Sequence, residues 1–133
     1  VDAKTKGKII NALRRISWFY PAGVERKKLQ KRDKALFECE GCGKFCYEGK
    51  SKKTLAEYIK KYPNKLVEMD QCQKDHLNPF IPIQKGWVWS WDDIINNLFC
   101  GIEGYKILCK TGCHAAKTKL EQEQRKELRK LDK

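Results

Sequence analysis

The chain has 133 residues, enough for one modest core and too few for two. Only 41% of residues are hydrophobic and 35% are charged, so the core calls for a staple; no run of about 18 apolar residues exists, which excludes a membrane-spanning helix. The net charge of +12, from 29 basic and 17 acidic residues, favours a polyanionic partner, nucleic acid above all.

The first residues, Val1-Asp2-Ala3-Lys4, open a polar segment without the apolar stretch of a signal peptide, so a cytoplasmic, reducing setting is expected. In that setting paired cysteines bind metal more often than they form disulfides. The odd count of seven cysteines also argues against a closed disulfide framework.

Taken in order, Ile9, Ile10, Leu13 and Ile16 recur at helical spacing over 4–17, with lysine and arginine on the other face. Tyr20-Pro21-Ala22-Gly23 breaks that helix. A second helix is expected over 24–36, crowded with Arg26, Lys27, Lys28, Lys31, Arg32 and Lys34. Its apolar face is thin, so it reads either as a solvated helix or as an arm contacting DNA through residues such as Arg26, Lys27 and Lys31. Residues 37–50 are rich in cysteine and glycine and suggest tight turns. A short helix over 52–62 ends at Tyr62-Pro63-Asn64. Leu66, Val67, Glu68 and Met69 fit a strand within 65–72, and Trp87, Val88 and Trp89 a second. The tryptophans read as core, with Trp87 and Trp89 on one strand face. Ser90 is placed to cap a helix running to about Phe99, with Asp92 and Asp93 in its first turn where acids suit the helix dipole. Tyr105 to Leu108 is a short apolar stretch. A final helix starts near Gly112, and from about Glu121 its charged tail has little to bury. Together these elements describe an α+β chain, mainly helical, with basic N-terminal helices.

Cys39-Glu40-Gly41-Cys42 is a C-x-x-C knuckle, in which two thiolates can grip one ion while glycine lets the backbone turn beneath them. Cys109 and Cys113 supply a second pair, spaced one residue wider. Four thiolates suit a closed, tetrahedral, structural zinc site. Cys46, close to the first knuckle, is an alternative ligand. Cys72 and Cys100 read as small buried hydrophobes.

The chain has two histidines, each beside a chemically suitable neighbour: Asp75-His76 and Cys113-His114. On a helix, Cys113 and His114 point about 100° apart, so one can face a zinc ion while the next faces a separate site. Lys117 lies nearly on the face of His114 and is placed to approach a phosphate. Asp75 and His76 can share a site if they stand at a strand end, and Asn78-Pro79 supports such a break.

Cys39-x-x-Cys42, Asp75-His76-Leu77-Asn78-Pro79, Trp91 with Asn96-Asn97, Leu108-Cys109 and Cys113-His114-Ala115-Ala116-Lys117-Thr118 together resemble the pattern of the His-Asn-His (HNH) endonucleases over about residues 37–119. Within that family the chain is similar to small proteins of tailed bacteriophages. The resemblance implies a ββα-metal core, a hairpin and a helix holding one divalent ion, here stapled by the four-cysteine site. It implies Asp75 and His114 as ligands of that ion, His76 as general base, and the central asparagine at Asn96 or Asn97. A longer segment around Gly101–Gly104 leaves the choice between the two asparagines open. The implied activity is phosphodiester hydrolysis on double-stranded DNA, with Mg²⁺ as the cellular ion and Mn²⁺ or Ni²⁺ better suited to the nitrogen ligand. Phage proteins of this kind often act beside the packaging terminase, which makes terminase an implied partner, DNA processing or packaging an implied role and the bacterial host cytoplasm an implied location. The expected organisation is a basic helical extension over 1–36, the nuclease core over 37–120 and a charged helix end over 121–133. Two other readings use fewer of these features. A non-catalytic zinc-containing module that binds nucleic acid has no use for Asp75-His76, and an interaction protein needs only the basic helices.

Overall fold

Asp2 starts the first helix. Its carboxylate accepts the Thr5 backbone N–H at 2.7 Å and caps α1 (Ala3–Ser17), in a computed structural model that describes residues 1–131. Pro21, whose fixed φ suits a first helical turn, opens α2 (Pro21–Leu29). Three short strands follow, β1 (Lys31–Asp33), β2 (Leu36–Glu38) and β3 (Phe45–Tyr47), then α3 (Lys52–Lys61) and β4 (Val67–Glu68). These strands form one sheet in the order β1-β2-β3-β4, antiparallel except that β4 runs parallel to β3. A second, two-stranded sheet joins β5 (Cys72–His76) to β6 (Tyr105–Cys109), with His76 opposite Tyr105 and Cys72 opposite Cys109. The long segment between those strands carries α4 (Trp91–Leu98), capped by the Ser90 hydroxyl on the Asp93 N–H. A π-helical turn, Lys110–His114, leads from β6 into α5 (Ala115–Leu131). About half of the chain is helical, and no helix among the described residues is long and apolar enough to cross a membrane.

Three apolar clusters result. Leu36, Phe45, Tyr47, Tyr58 and Val67 sit between the larger sheet and α3. Ile10, Ile94 and Leu98 join α1 to α4, with Trp87, Trp89 and Trp91 packed around them. Ile107, Leu108, Cys72, Cys46, Cys39 and Cys109 join the two sheets.

Two carboxylates reinforce that last junction. Glu40 accepts the Ile107 N–H at 2.7 Å and pairs with Arg26 of α2, while the Glu40 N–H donates to the Ile107 carbonyl at 2.8 Å. Glu48 accepts the Cys72 N–H at 3.0 Å and pairs with Lys27 at 2.9 Å. Both ion pairs are mostly screened from water, so α2 is clamped onto the hairpin by charge-assisted bonds.

Several expected elements shift. The helix expected over 24–36 stops at Leu29, and the chain turns into the β1–β2 hairpin. Lys31, Arg32 and Lys34 give a helix nothing to bury, whereas Leu36, once in a strand, becomes wholly inaccessible to water. The boundary expected at residue 36 therefore falls inside β2, and that at residue 120 inside α5. The strand expected over 65–72 shrinks to Val67–Glu68, and Trp87–Trp89 is an irregular segment whose indoles pack beside α4. The charged tail is helical to Leu131 although none of its described residues is buried, and residues 132–133 of the expected helix end lie outside the described residues.

Truncating Glu40 strands a backbone donor and a guanidinium together. Glu40→Ala is expected to cost about 1–3 kcal/mol in urea unfolding, against roughly 0.5 kcal/mol or less for Glu25→Ala, whose partner Lys28 lies in water.

Candidate metal centres and the cavity between them

Four of the seven cysteines converge. The sulfurs of Cys39, Cys42, Cys109 and Cys113 lie within 4.8 Å of one another, and Cys42 and Cys109 are 4.0 Å apart. Tetrahedral thiolate coordination with bonds of 2.3 Å places sulfurs about 3.8 Å apart, so the set is compatible with a structural zinc ion. The knuckle between β2 and β3 brings one pair; the end of β6 and the π-helical turn bring the other. That turn absorbs the wide C-x-x-x-C spacing. One extra residue per turn carries Cys113 back over Cys109, whose sulfur accepts the Cys113 N–H at 3.2 Å.

The backbone around the sulfurs leaves no room for side chains. A Cβ on Gly41 would lie 2.8 Å from the Cys113 sulfur, and one on Gly112 would lie 2.9 Å from the Cys109 sulfur. Burial pushes the Cys39 thiol up, but backbone N–H groups of Cys42, Cys109 and Gly41 prevail and hold it down at about 7. Cys109 and Cys113 are raised, by burial first and then by the neighbouring sulfurs. Cys46 is not part of the cluster. It is buried in β3 opposite Phe37, beside the equally buried Cys72. Cys100 is half-buried.

One residue after Cys113, His114 turns to a different site. Its Nδ1 is buried, makes no hydrogen bond, and lies 3.5 Å from Asp75 Oδ2. A buried nitrogen without a partner is costly. A cation between imidazole and carboxylate would satisfy the nitrogen and share the carboxylate with Lys117, and nitrogen plus oxygen is a donor set that divalent ions accept. The residues present therefore fit a divalent ion. Lys117, one helical turn on, holds its ammonium 3.2 Å from Asp75 Oδ2 and 3.4 Å from Glu121, and it also donates to the His76 carbonyl.

His76 ends β5, so it lines the same cavity as Asp75 although regular strand neighbours diverge. Its Nε2 lies 2.9 Å from the Leu98 carbonyl at the end of α4. A carbonyl only accepts, so the proton sits on Nε2 and Nδ1 keeps its lone pair. The ring packs against Tyr105, with centroids 5.0 Å apart, and Phe80 at 6.4 Å. Burial lowers its pKa, Lys117 and Arg14 act the same way, and the Leu98 carbonyl and Asp75 oppose them. The net shift is downward, which keeps the ring neutral at neutral pH.

A cavity of about 290 Å³ holds Asp75, His76, His114 and Lys117 together, with Arg14 and Arg125 also in its wall. Arg14 lies over the Phe80 ring, and Arg125 donates to the Ile81 carbonyl at 2.7 Å. The two candidate asparagines separate. Asn97 donates to the Phe80 carbonyl at 3.4 Å and so holds the loop behind His76, whereas Asn96 is exposed. Arg26 and Lys27 are engaged with Glu40 and Glu48 away from this cavity, and Lys31 is exposed on β1. Arg14, Arg125 and the Leu98 carbonyl were not singled out by sequence. The arginines had only the helical charge pattern to mark them, and a carbonyl has no sequence signal.

No protein-family model matches the chain, and comparison with curated proteins and with solved structures found no match.

If the four sulfurs hold one ion, Cys113→Ser is expected to release it and Cys46→Ser to retain it, read as bound metal per chain by atomic absorption. A chelator strong enough to strip the wild type is expected to lower its melting temperature by several degrees, because the ion ties two sheets together.

Proposed function

We propose that the protein is a metal-dependent DNA endonuclease of the ββα-metal, HNH kind, with a structural zinc ion in the four-cysteine cluster and a catalytic divalent ion held by Asp75 and His114. The observation that carries this reading is one cavity on a hairpin and helix where an unpartnered His114 Nδ1 faces Asp75 beside a neutral His76. The charge of +12 suits a DNA backbone.

The chemistry follows from these groups. The divalent ion, when bound, supplies positive charge to the scissile phosphate and the leaving oxygen. His76 Nδ1 takes a proton from a water as its oxygen bonds to phosphorus. The bond from phosphorus to the leaving sugar oxygen breaks, and that oxygen takes a proton from solvent. The imidazolium that forms keeps its Nε2–H on the Leu98 carbonyl, so the ring does not swing as it charges. Lys117 and Arg14 add positive charge where phosphates would lie, and Asn97 keeps the Phe80 loop in place. Contacts of this sort position a backbone without reading its sequence.

Plasmid nicking with Mg²⁺, Mn²⁺ or Ni²⁺ tests the proposal against an EDTA control. His76→Ala is expected to lower the rate by roughly 100-fold or more while leaving zinc content unchanged. Asp75→Ala and His114→Ala are expected to abolish metal-dependent cleavage. Undiminished cleavage by His76→Ala would remove that residue as base. A folded protein that binds DNA but cuts with no metal would leave a non-catalytic zinc module instead.

A further inference from the structure

Three of the four tryptophans are accounted for by packing. Trp87, Trp89 and Trp91 stack on one another beside α4, and the Trp87 indole N–H donates to Asp93 at 3.0 Å. Trp18 is different. It caps the end of α1 with 61% of its surface exposed and is followed by Phe19 at 80%. Among the described residues its ring has no aromatic partner and its indole nitrogen no hydrogen bond. Trp18 and Phe19 are consecutive and both stand in water, so they form an exposed aromatic pair rather than a single scattered residue.

Its position is informative. Trp18 and Lys74 together line the Asp75–His76 cavity and two shallower depressions beyond it. Lys74 is the strand neighbour of Asp75, and its ammonium donates to the Trp18 carbonyl, which ties the Trp18 backbone to the rim. One depression also carries Lys27, Lys28 and Lys31 around the apolar Val24 and Phe37. The acids nearby, Glu48 and Glu25, are already paired with Lys27 and Lys28, which leaves Lys31 and Lys74 as surplus positive charge. An acidic strand with apolar base faces fits a surface of surplus lysines around exposed rings.

We propose that Trp18 stacks on an unpaired nucleobase at the rim of the cavity, so that the DNA bound there is single-stranded or locally opened. In a duplex both faces of each base are covered by neighbours, so an isolated indole gains nothing from it. A base out of the stack offers a free face, and aromatic stacking with flanking lysines is the general means of holding single strands. That the opened strand is also the one cut rests on the nuclease reading. The binding itself does not.

The test is fluorescence anisotropy of a labelled single-stranded 12-mer and of a hairpin duplex of the same sequence, with zinc-loaded protein and no added Mg²⁺. Trp18→Ala is expected to weaken single-strand binding about tenfold or more and duplex binding less than twofold, with Trp18→Phe staying close to wild type. Because Trp18 is exposed, an unchanged melting temperature is expected to accompany the loss. Equal single-strand affinity for Trp18→Ala and wild type would overturn the proposal, as would equal losses on both ligands. A dimer that sedimentation finds in the wild type and loses in Trp18→Ala would also overturn it, by assigning the face to a second copy. Trp18-dependent single-strand binding together with no plasmid cleavage under any metal would support this surface and defeat the nuclease reading.

Discussion

The junction of the two sheets is the constraint on which the rest of the molecule depends. Neither sheet is large. One has four strands of two or three residues, and the other is a two-stranded hairpin interrupted by a long excursion. A two-stranded hairpin is marginal alone in water, and it gains its support from the larger sheet. What joins them is a cluster of sulfurs supported by two part-buried carboxylates, Glu40 and Glu48, each reaching from the knuckle sheet to an N–H of the hairpin. The same carboxylates hold Arg26 and Lys27, so α2 is fixed by the contacts that fix the sheets. The chain is short of apolar residues, and here polar and thiolate chemistry replaces them at the most demanding interface.

That junction also sets the geometry of the cavity. The last residue of β6 is a cluster cysteine, and the π-helical turn that leads into the terminal helix ends on Cys113 and His114. Any shift of the cluster would move His114 away from Asp75. The π-helical turn gives Cys113 and His114 their separate directions. Structural and chemical roles are divided between consecutive residues, and the position of one determines the position of the other.

Much of this was legible in the chain. The four cysteines stood out by spacing, the two histidines by their neighbours, and the Ser90 cap by its offset from Asp93. The β1–β2 hairpin was not legible. Its strands have three residues each, and Lys31, Arg32 and Lys34 obscure the signal of Leu36 and Phe37. Arg26 and Lys27 read as facing solvent or DNA because their partners, Glu40 and Glu48, lie 14 and 21 residues away. Trp18 read as core for the reason tryptophans usually do, and only the packing of α1 against α4 shows which side of the helix it occupies. Asn96 and Asn97 are adjacent on paper, and helix geometry alone separates them.

The Leu98 carbonyl accepts from both His76 Nε2 and the Tyr105 hydroxyl, each at 2.9 Å, and it belongs to the last turn of α4. Carbonyls at a helix C-terminus carry the negative end of the helix dipole, equivalent to about half an elementary charge. The histidine is thus oriented by a partial charge spread over a backbone, in the position an aspartate holds in a catalytic triad. Because the acceptor is main chain, no single side-chain replacement deletes it. The ring's orientation is insulated from point mutation and tied to whether α4 stays folded.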